Sequence, residues 1–388
     1  MRKVMHKIKK GFVKVLGHEK YQSITIPVFA ILLSLIFGAI IILILGKNPL
    51  EAYRSLLQGS GLLPKESYAA HKSMLTDFTS FLNAWAPMLF ASLAVAVALR
   101  SGLFNIGVSG QMLTAGFIST ITIGYSAMAA GIAKPLVLII GLTSGMLVGA
   151  LIGWFKYKFN INEVVSSIMI NYIAQYVFSF FINTYYVDPV SRQSKIVNKT
   201  ARLTLMDSVV GDLKMDLPLG IILALITAFA IKLLLDKTRI GFELKTVGSS
   251  QTAARYAGIN VGMTIVLAMA ISGALAGLAG VTNYLGYDGS IRPKVLTSTG
   301  FDAIAVALLG NSNPIGIIFS SFLIMVIGKG STYMSSTAGV EAEIASVITS
   351  LILLFSACGQ YIKYWIKRTK DSLEEESARE MDKREGDK

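Results

Sequence analysis

Arg239-Ile-Gly-Phe-Glu-Leu-Lys-Thr-Val-Gly-Ser-Ser-Gln-Thr-Ala-Ala-Arg-Tyr-Ala-Gly-Ile-Asn260 is a polar stretch that lies between two apolar runs of membrane length. It is too polar to cross a bilayer, yet its residues predict a defined local structure. Ser249 and Ser250 are N-cap residues, residues 251–257 can form about two helical turns, and Gly258 is suited to the position that ends a helix. The sequence therefore predicts a short capped helix at a membrane surface.

The composition of the whole chain is that of a polytopic membrane protein. Hydrophobic residues make up 53% of its 388 residues and charged residues only 15%, whereas soluble domains carry about a quarter charged residues. The net charge of +13 does not indicate nucleic-acid binding, because the basic residues lie at the ends of apolar runs. A single cysteine, Cys358, excludes an internal disulfide and a cysteine-rich metal site.

Ten apolar segments are predicted to cross or enter the membrane, so the expected fold is an all-α polytopic membrane protein with about ten transmembrane helices. Eight segments are long enough to span: 26–46, 81–99, 135–155, 164–185, 217–235, 261–285, 314–333 and 343–365. Two are irregular, the glycine-rich segment 103–123 and the short segment 300–310. Lys and Arg concentrate before residue 21, in 237–255 and after 363, which predicts that both termini lie in the cytoplasm.

This topology divides the chain into a basic cytoplasmic segment (1–25), a transmembrane domain (26–365) and a charged cytoplasmic tail (366–388). Within the domain, a predicted external loop at 188–216 separates two halves of five segments with opposite orientation. The third segment of each half is the irregular one. Matched interrupted helices in inverted halves indicate a binding site near the middle of the membrane.

Polar residues inside the apolar segments are the candidates for that site. Asn105 and Gln111 enter a run broken by glycines, and such a break must line protein or a water-filled cavity. Their amides suit a neutral substrate that donates and accepts hydrogen bonds. The alternative is close helix packing, with the amides bonded between helices. Asn171 and Asn283 can likewise be interpreted as substrate contacts or as amides bonded between helices.

Two charged residues also lie in apolar segments. Asp302 would cost about 3 kcal/mol at the middle of a membrane; it is either an acid that lines or gates a cavity, or the cap of a short helix. Lys329, in the segment 328–332, faintly resembles a phosphate-binding loop, but the required earlier glycine is absent. We find neither a Walker A motif nor a catalytic set, so the chain is not expected to be an enzyme or to hold a cofactor; another chain would hydrolyse ATP.

Three motifs occur together in this chain. They are Leu103-Phe-Asn-Ile-Gly-Val-Ser-Gly-Gln111; Arg239-Ile-Gly-Phe242 with Ala253-Ala-Arg-Tyr-Ala-Gly-Ile259; and the segment 300–310 followed by Asn313-Pro-Ile-Gly316. Together they resemble the permeases of bacterial ABC importers for simple sugars, nucleosides and branched-chain amino acids, and the likeness runs from about residue 25 to 365. Asn48-Pro-Leu-Glu-Ala-Tyr-Arg-Ser-Leu56 is most similar to the nucleoside branch.

The resemblance implies a subunit of a larger machine in the bacterial plasma membrane. Its partners would be a second, different permease, two cytosolic ATPase subunits, an external substrate-binding lipoprotein and membrane lipid. The segment 237–260 would couple the permease to an ATPase through Arg239, Gly241, Glu243, Ala253, Ala254, Arg255, Tyr256 and Gly258. The expected substrate pathway contains Asn105, Ser109, Gln111, Asn171, Asn283 and Asp302.

The chain departs from this family at two positions. Ser109 stands where members often carry an acid, and Ser249-Ser-Gln251 replaces a proline before the coupling helix. The expected function is import of nucleosides. A first alternative keeps the machine and changes the cargo to a sugar such as ribose or galactose. A second is a transporter driven by an ion gradient, which the inverted halves and Asp302 favour.

Overall fold

The computed structural model describes residues 22–68, 71–210, 213–359 and 361–372, and this part of the chain is mainly helical. The helices are α1 Gln22–Ile44, α2 Pro49–Gly59, α3 Met74–Arg100, α4 Val108–Ser119, α5 Ala130–Phe159, α6 Glu163–Phe181, α7 Leu219–Lys237, α8 Arg239–Ser249, α9 Gln251–Tyr256, α10 Val261–Thr282, α11 Thr299–Leu309, α12 Pro314–Ala338, α13 Ala342–Ala357 and α14 Tyr361–Ser372. Most of the predicted segment 1–25 and much of the predicted tail 366–388 lie outside the described residues.

The helices confirm an all-α polytopic membrane protein. Seven described helices (α1, α3, α5, α6, α7, α10 and α12) are long and apolar enough to cross a membrane, and α13 with α14 forms a bent pair at 49° that would make an eighth span. The two segments predicted as irregular are the short helices α4 and α11, of 12 and 11 residues. The number of crossings and their orientation stay predictions.

The chain divides into two compact units. One unit comprises Met1–Leu50 and Glu343–Lys388; within it, Phe37 of α1 lies 5.5 Å from Phe355 of α13, between ring centres. The other unit, Glu51–Ala342, contains every residue of the candidate sites.

Helix α3 lies at the centre of the larger unit. Every residue from 83 to 98 is buried, which is the pattern of a helix that is apolar on all sides and surrounded by other helices. Its one indole nitrogen, on Trp85, donates to the Ser321 hydroxyl of α12 at 2.8 Å. Helices α5 and α10 pack backbone to backbone, because a Cβ atom at Gly145 or Gly149 would clash with carbonyl oxygens of α10.

Five local elements, one helix, one hairpin and three π-helical turns, were not part of the sequence prediction. Helix α2 follows the first span, and an antiparallel hairpin of β1 (Thr204–Val210) and β2 (Leu213–Pro218) forms at the end of the predicted external loop. Helices α4, α6 and α10 each end in a π-helical turn, at Thr120–Gly124, Ile182–Tyr186 and Asn283–Asp288. The hairpin is anchored on α3, where Asn83 accepts from the Thr204 hydroxyl at 2.9 Å and donates to the Asp216 carbonyl at 3.0 Å.

Candidate functional site

The coupling segment (residues 237–260) folds as two short helices joined by a sharp turn. The predicted helix is confirmed as α9, and Ser250 is confirmed as its cap, since the Ser250 hydroxyl accepts from the Ala253 amide at 3.3 Å. Ser249 was wrongly predicted as a cap, because it is the last residue of α8. Helix α8 was not predicted. It begins after Thr238, whose hydroxyl accepts from the Gly241 amide at 3.1 Å. Asn260 then caps α10 by accepting from the Met263 amide at 3.1 Å.

The predicted coupling residues differ in exposure. Five of them are exposed: Arg239, Ala253, Arg255, Tyr256 and Gly258. Among the exposed large hydrophobic and aromatic side chains of this segment, Tyr256 is the most open, with 90% of its surface exposed. Gly241 and Ala254 are buried, and Glu243 is bonded to Arg239 at 2.8 Å. The exposed residues thus form a surface, and the buried ones hold its shape.

A cleft of about 470 Å³ lies beside this surface. Residues of α8, of the turn after α9 and of the first turns of α10 line it, and they include Phe242, Ile259 and Met263. Phe242 and Met263 both expose more than half of their surface. The coupling segment therefore combines an exposed short helix with a partly apolar cleft.

The coupling segment rests directly on the turn that leads into α4. A Cβ atom on Gly248, near the end of α8, would clash with the Arg100 carbonyl oxygen. The Arg100 guanidinium in turn donates to the carbonyl oxygens of Ser312 at 2.9 Å and Asn311 at 3.3 Å, in the turn between α11 and α12. A continuous set of contacts thus joins α8 to both short helices.

The two short helices meet at their N-terminal ends. A Cβ atom on Gly300 of α11 would clash with the Ser109 side chain of α4, and the Ser109 hydroxyl donates to the Thr297 carbonyl at 3.0 Å. Ser109 is fully buried, while Asp302, in the first turn of α11, is half-buried. Helix N-termini carry partial positive charge, so this junction favours electronegative atoms of a substrate and the Asp302 carboxylate itself.

Asn105 and Gln111 form a fully buried pair beside the junction. The Asn105 amide nitrogen donates to the Gln111 oxygen at 3.0 Å and to the Ser272 hydroxyl at 2.8 Å. The Asn105 oxygen accepts from the Gly107 amide at 3.0 Å, at the start of α4. The pair therefore fixes where α4 begins, and its contact with substrate stays a prediction.

Asn171 and Asn283 also bond within the protein. The Asn171 oxygen accepts from the Gly110 amide at 2.8 Å, so a residue of α6 caps the first turn of α4. Asn283 lies in the π-helical end of α10 and donates to the Asp288 carboxylate at 3.0 Å. The structure thus gathers Ser109, Asn105, Gln111 and Asn171 around the start of α4, with Asn283 on a different element.

Two polar residues near Asn283 were not among the predicted site residues. The Lys329 ammonium of α12 donates to the Tyr287 hydroxyl at 2.8 Å. The sequence did contain a signal for Lys329. Inserting a charged side chain into a membrane span costs free energy, so such residues are rare and often mark a functional site.

Comparison with known proteins places these features in a family. The model described as "branched-chain amino acid transport system / permease component" matches residues 78–357, which is more than half of the chain. The nucleoside ABC transporter permease protein NupB of Lactococcus lactis subsp. cremoris is 32% identical over 96% of this chain and all of its own length. The guanosine ABC transporter permease protein NupP of Bacillus subtilis is 34% identical over 91% of this chain and 98% of its own. The glucose ABC transporter permease protein TsgB13 of Haloferax volcanii is 27% identical over 87% of this chain.

These relatives are named as permease proteins of ABC transporters, that is, as membrane subunits and not as ATPases. Together with the seven apolar helices, they place this chain in the bacterial plasma membrane as a multi-pass protein with ABC transporter partners. The chain therefore belongs to the branched-chain amino acid transport system / permease component family, as a transport subunit and not an ATPase.

Proposed function

We propose that this chain is a permease subunit of an importer that carries nucleosides into the cytoplasm, driven by ATP hydrolysis in its partner subunits. One observation carries the assignment of cargo. The relatives named for nucleosides and guanosine are 32% and 34% identical over at least nine-tenths of the chain, whereas the relative named for glucose is 27% identical. A sugar such as ribose or galactose is the second candidate, because glucose and fructose permeases are also related.

The permease core is proposed to be a heterodimer. Lactococcus lactis has a second related permease, NupC, and Bacillus subtilis has NupQ; they are 27% and 28% identical over about 60% of this chain. Each organism thus has two different nucleoside or guanosine permeases that resemble this chain. Two cytosolic ATPase subunits and an external substrate-binding lipoprotein complete the proposed assembly.

The coupling segment is the proposed contact with an ATPase subunit. Its exposed residues, Arg255 and Tyr256 above all, would enter a groove of the ATPase, while Gly241 and Ala254 keep the two short helices in place. ATP binding would then shift an equilibrium between an inward-open and an outward-open state. The contacts through Gly248 and Arg100 would carry that displacement to α4 and α11.

The six predicted pathway residues are proposed to act in two ways. Ser109, Asp302 and Asn283 would lie along the pathway, at the junction of the short helices and at the π-helical end of α10. Asn105, Gln111 and Asn171 would support it, because their amides fix the start of α4. Gly300 and Ser109 are in tight contact, so α4 and α11 would have to separate at this junction for a substrate to pass between them.

Uptake by cells with and without this gene tests the proposed cargo. Radiolabelled guanosine, uridine and ribose are supplied separately, and initial rates are compared in the deletion strain, its parent and the complemented strain. We expect loss of guanosine or uridine uptake with ribose uptake unchanged. Loss of ribose uptake alone would refute the nucleoside assignment and leave the ABC permease assignment in place.

A further inference from the structure

Lys329 carries an ammonium group within a membrane-spanning helix. It lies in the interior of the 25-residue helix α12, about 14 Å from the nearer end. Burying such a charge in the hydrocarbon region of a membrane is unfavourable, so charged residues in spans face protein or a water-filled cavity. In the described ranges, no carboxylate lies within salt-bridge distance of it.

The surface next to Lys329 is open and polar. A Cβ atom on Gly328 would meet no other atom within 4 Å, and Thr332 and Ser336, one and two turns further on, are exposed. By contrast, α6 exposes apolar side chains such as Val165, Ile173 and Phe180. Lipid suits the surface of α6, and also Phe319 near the start of α12, which is 72% exposed. It does not suit residues 328–336 of α12, because polar groups in the hydrocarbon region need polar partners. This part of α12 therefore faces a cavity or another protein.

Tyr287 supplies an aromatic ring at the same place. It belongs to the π-helical end of α10, 38% of its surface is exposed, and the Lys329 ammonium lies 4.9 Å from its ring centre. Such π-helical turns are frequent at functional sites. The turn is held from its buried side by Arg202, whose guanidinium donates to the Gly286 carbonyl at 2.9 Å. Arg202 thus holds in place the turn that carries the partly exposed Tyr287 ring.

Three basic side chains and two carboxylates lie in or near this cluster, since Asp216 is also within electrostatic reach of Arg202. Asp288 is within electrostatic reach of Arg202, Arg292 and Lys329. Lys329 has three N–H donors and the Tyr287 hydroxyl takes one of them, so two remain for a ligand. The open ring and the free donors together fit an aromatic heterocycle that carries hydrogen-bond acceptors.

We propose that Lys329 and Tyr287 contact the base of the transported nucleoside: the Tyr287 ring stacks on the base, and the Lys329 ammonium donates to its carbonyl oxygen or ring nitrogen. This inference rests on the proposed function. It also explains a preference between cargoes, because a simple sugar has no aromatic face for Tyr287 to stack on.

Relative rates for different cargoes test this inference in cells that carry the complete transporter. Lys329→Gln, Lys329→Arg, Tyr287→Leu and Tyr287→Phe are compared with the wild type for uptake of guanosine, uridine and ribose. Lys195→Gln, at an exposed lysine of the 188–216 segment, is the matched control. Assembly is followed by co-purification of the ATPase and the second permease.

Lys329→Gln is expected to lower the uptake of both guanosine and uridine about tenfold, the effect of losing one hydrogen bond to a charged group, because both bases carry a carbonyl oxygen that can accept it. Lys329→Arg and Tyr287→Phe should retain most of the wild-type uptake of both nucleosides, and assembly should not change. Unchanged nucleoside uptake in Lys329→Gln, an equal loss in Lys329→Arg, or loss of the second permease from Lys329→Gln would overturn the inference alone. A wild-type transporter that carries ribose and no nucleoside would instead overturn the proposed function.

Discussion

Asn105 is a polar residue whose side chain is satisfied entirely inside the protein. It is fully buried and bonds to Gln111, to Ser272 and to the Gly107 amide. The sequence identified the amides but not their partners, because Ser272 is 167 positions away along the chain. Whether an amide in a membrane helix contacts substrate or bonds to another helix depends on neighbours that only the fold brings together.

Replacement of Asn105 by Leu measures its role. The change leaves the Gln111 side chain and the Gly107 amide without their Asn105 partner, while Ser272 keeps its bond to the Ala94 carbonyl. An unsatisfied buried polar group costs about 1–3 kcal/mol. We expect a lower thermal unfolding midpoint for the purified permease complex and slower uptake, with the ATPase still bound. Asn198→Leu, at an exposed asparagine, is the control. An unchanged midpoint together with altered preference among substrates would assign Asn105 to the pathway instead.

At the scale of single elements, the coupling segment was partly predictable. Its second helix and serine cap follow from local sequence signals, because capping is a contact between neighbouring residues. Helix α8 was missed, since only Gly241, Leu244 and Val247 of its 11 residues are buried and its pattern is short. The π-helical turn at Asn283–Asp288 is held by Arg202 and the β1–β2 hairpin by Asn83 of α3, and local patterns do not reveal these contacts.

Tyr256→Glu tests the surface of α9. Tyr256 makes little contact within this chain, so its replacement should leave the fold unchanged while it places a carboxylate in the proposed ATPase groove. We expect loss of uptake and of ATPase co-purification, at normal expression, and the same from Arg255→Glu. Arg192→Glu, in the predicted external loop, should transport normally. Wild-type uptake by both coupling variants would refute the coupling role.

Arg100→Gln tests the path from α8 to the short helices. The variant loses the guanidinium contacts with the turn between α11 and α12, but it leaves the coupling surface intact. We expect ATPase subunits to bind normally and hydrolyse ATP while the uptake rate falls about tenfold or more, because the two short helices no longer move together. If ATP hydrolysis and uptake fall in equal proportion, Arg100 acts on stability or assembly and not on coupling.

At the scale of the whole molecule, the long apolar runs determined most of what could be predicted. Each long segment must satisfy its own backbone in the membrane, so length and hydropathy are enough to identify a helix. The two irregular segments proved to be α4 and α11, whose N-terminal ends meet at Ser109 and Gly300. In the sequence, Lys329 was considered only as part of a possible phosphate-binding loop. Its contact with Tyr287 could not be predicted, because Tyr287 belongs to another helix.

The central claim is that this chain transports its substrate only as part of an ATP-driven assembly. The direct test is uptake of labelled guanosine into vesicles that contain the purified chain, with or without the second permease, the ATPase subunits, the binding protein and ATP. Uptake that needs all the partners and ATP, and that an imposed ion gradient cannot replace, is the result we expect. Guanosine uptake by the chain alone under a proton or sodium gradient would contradict the claim and identify a secondary transporter.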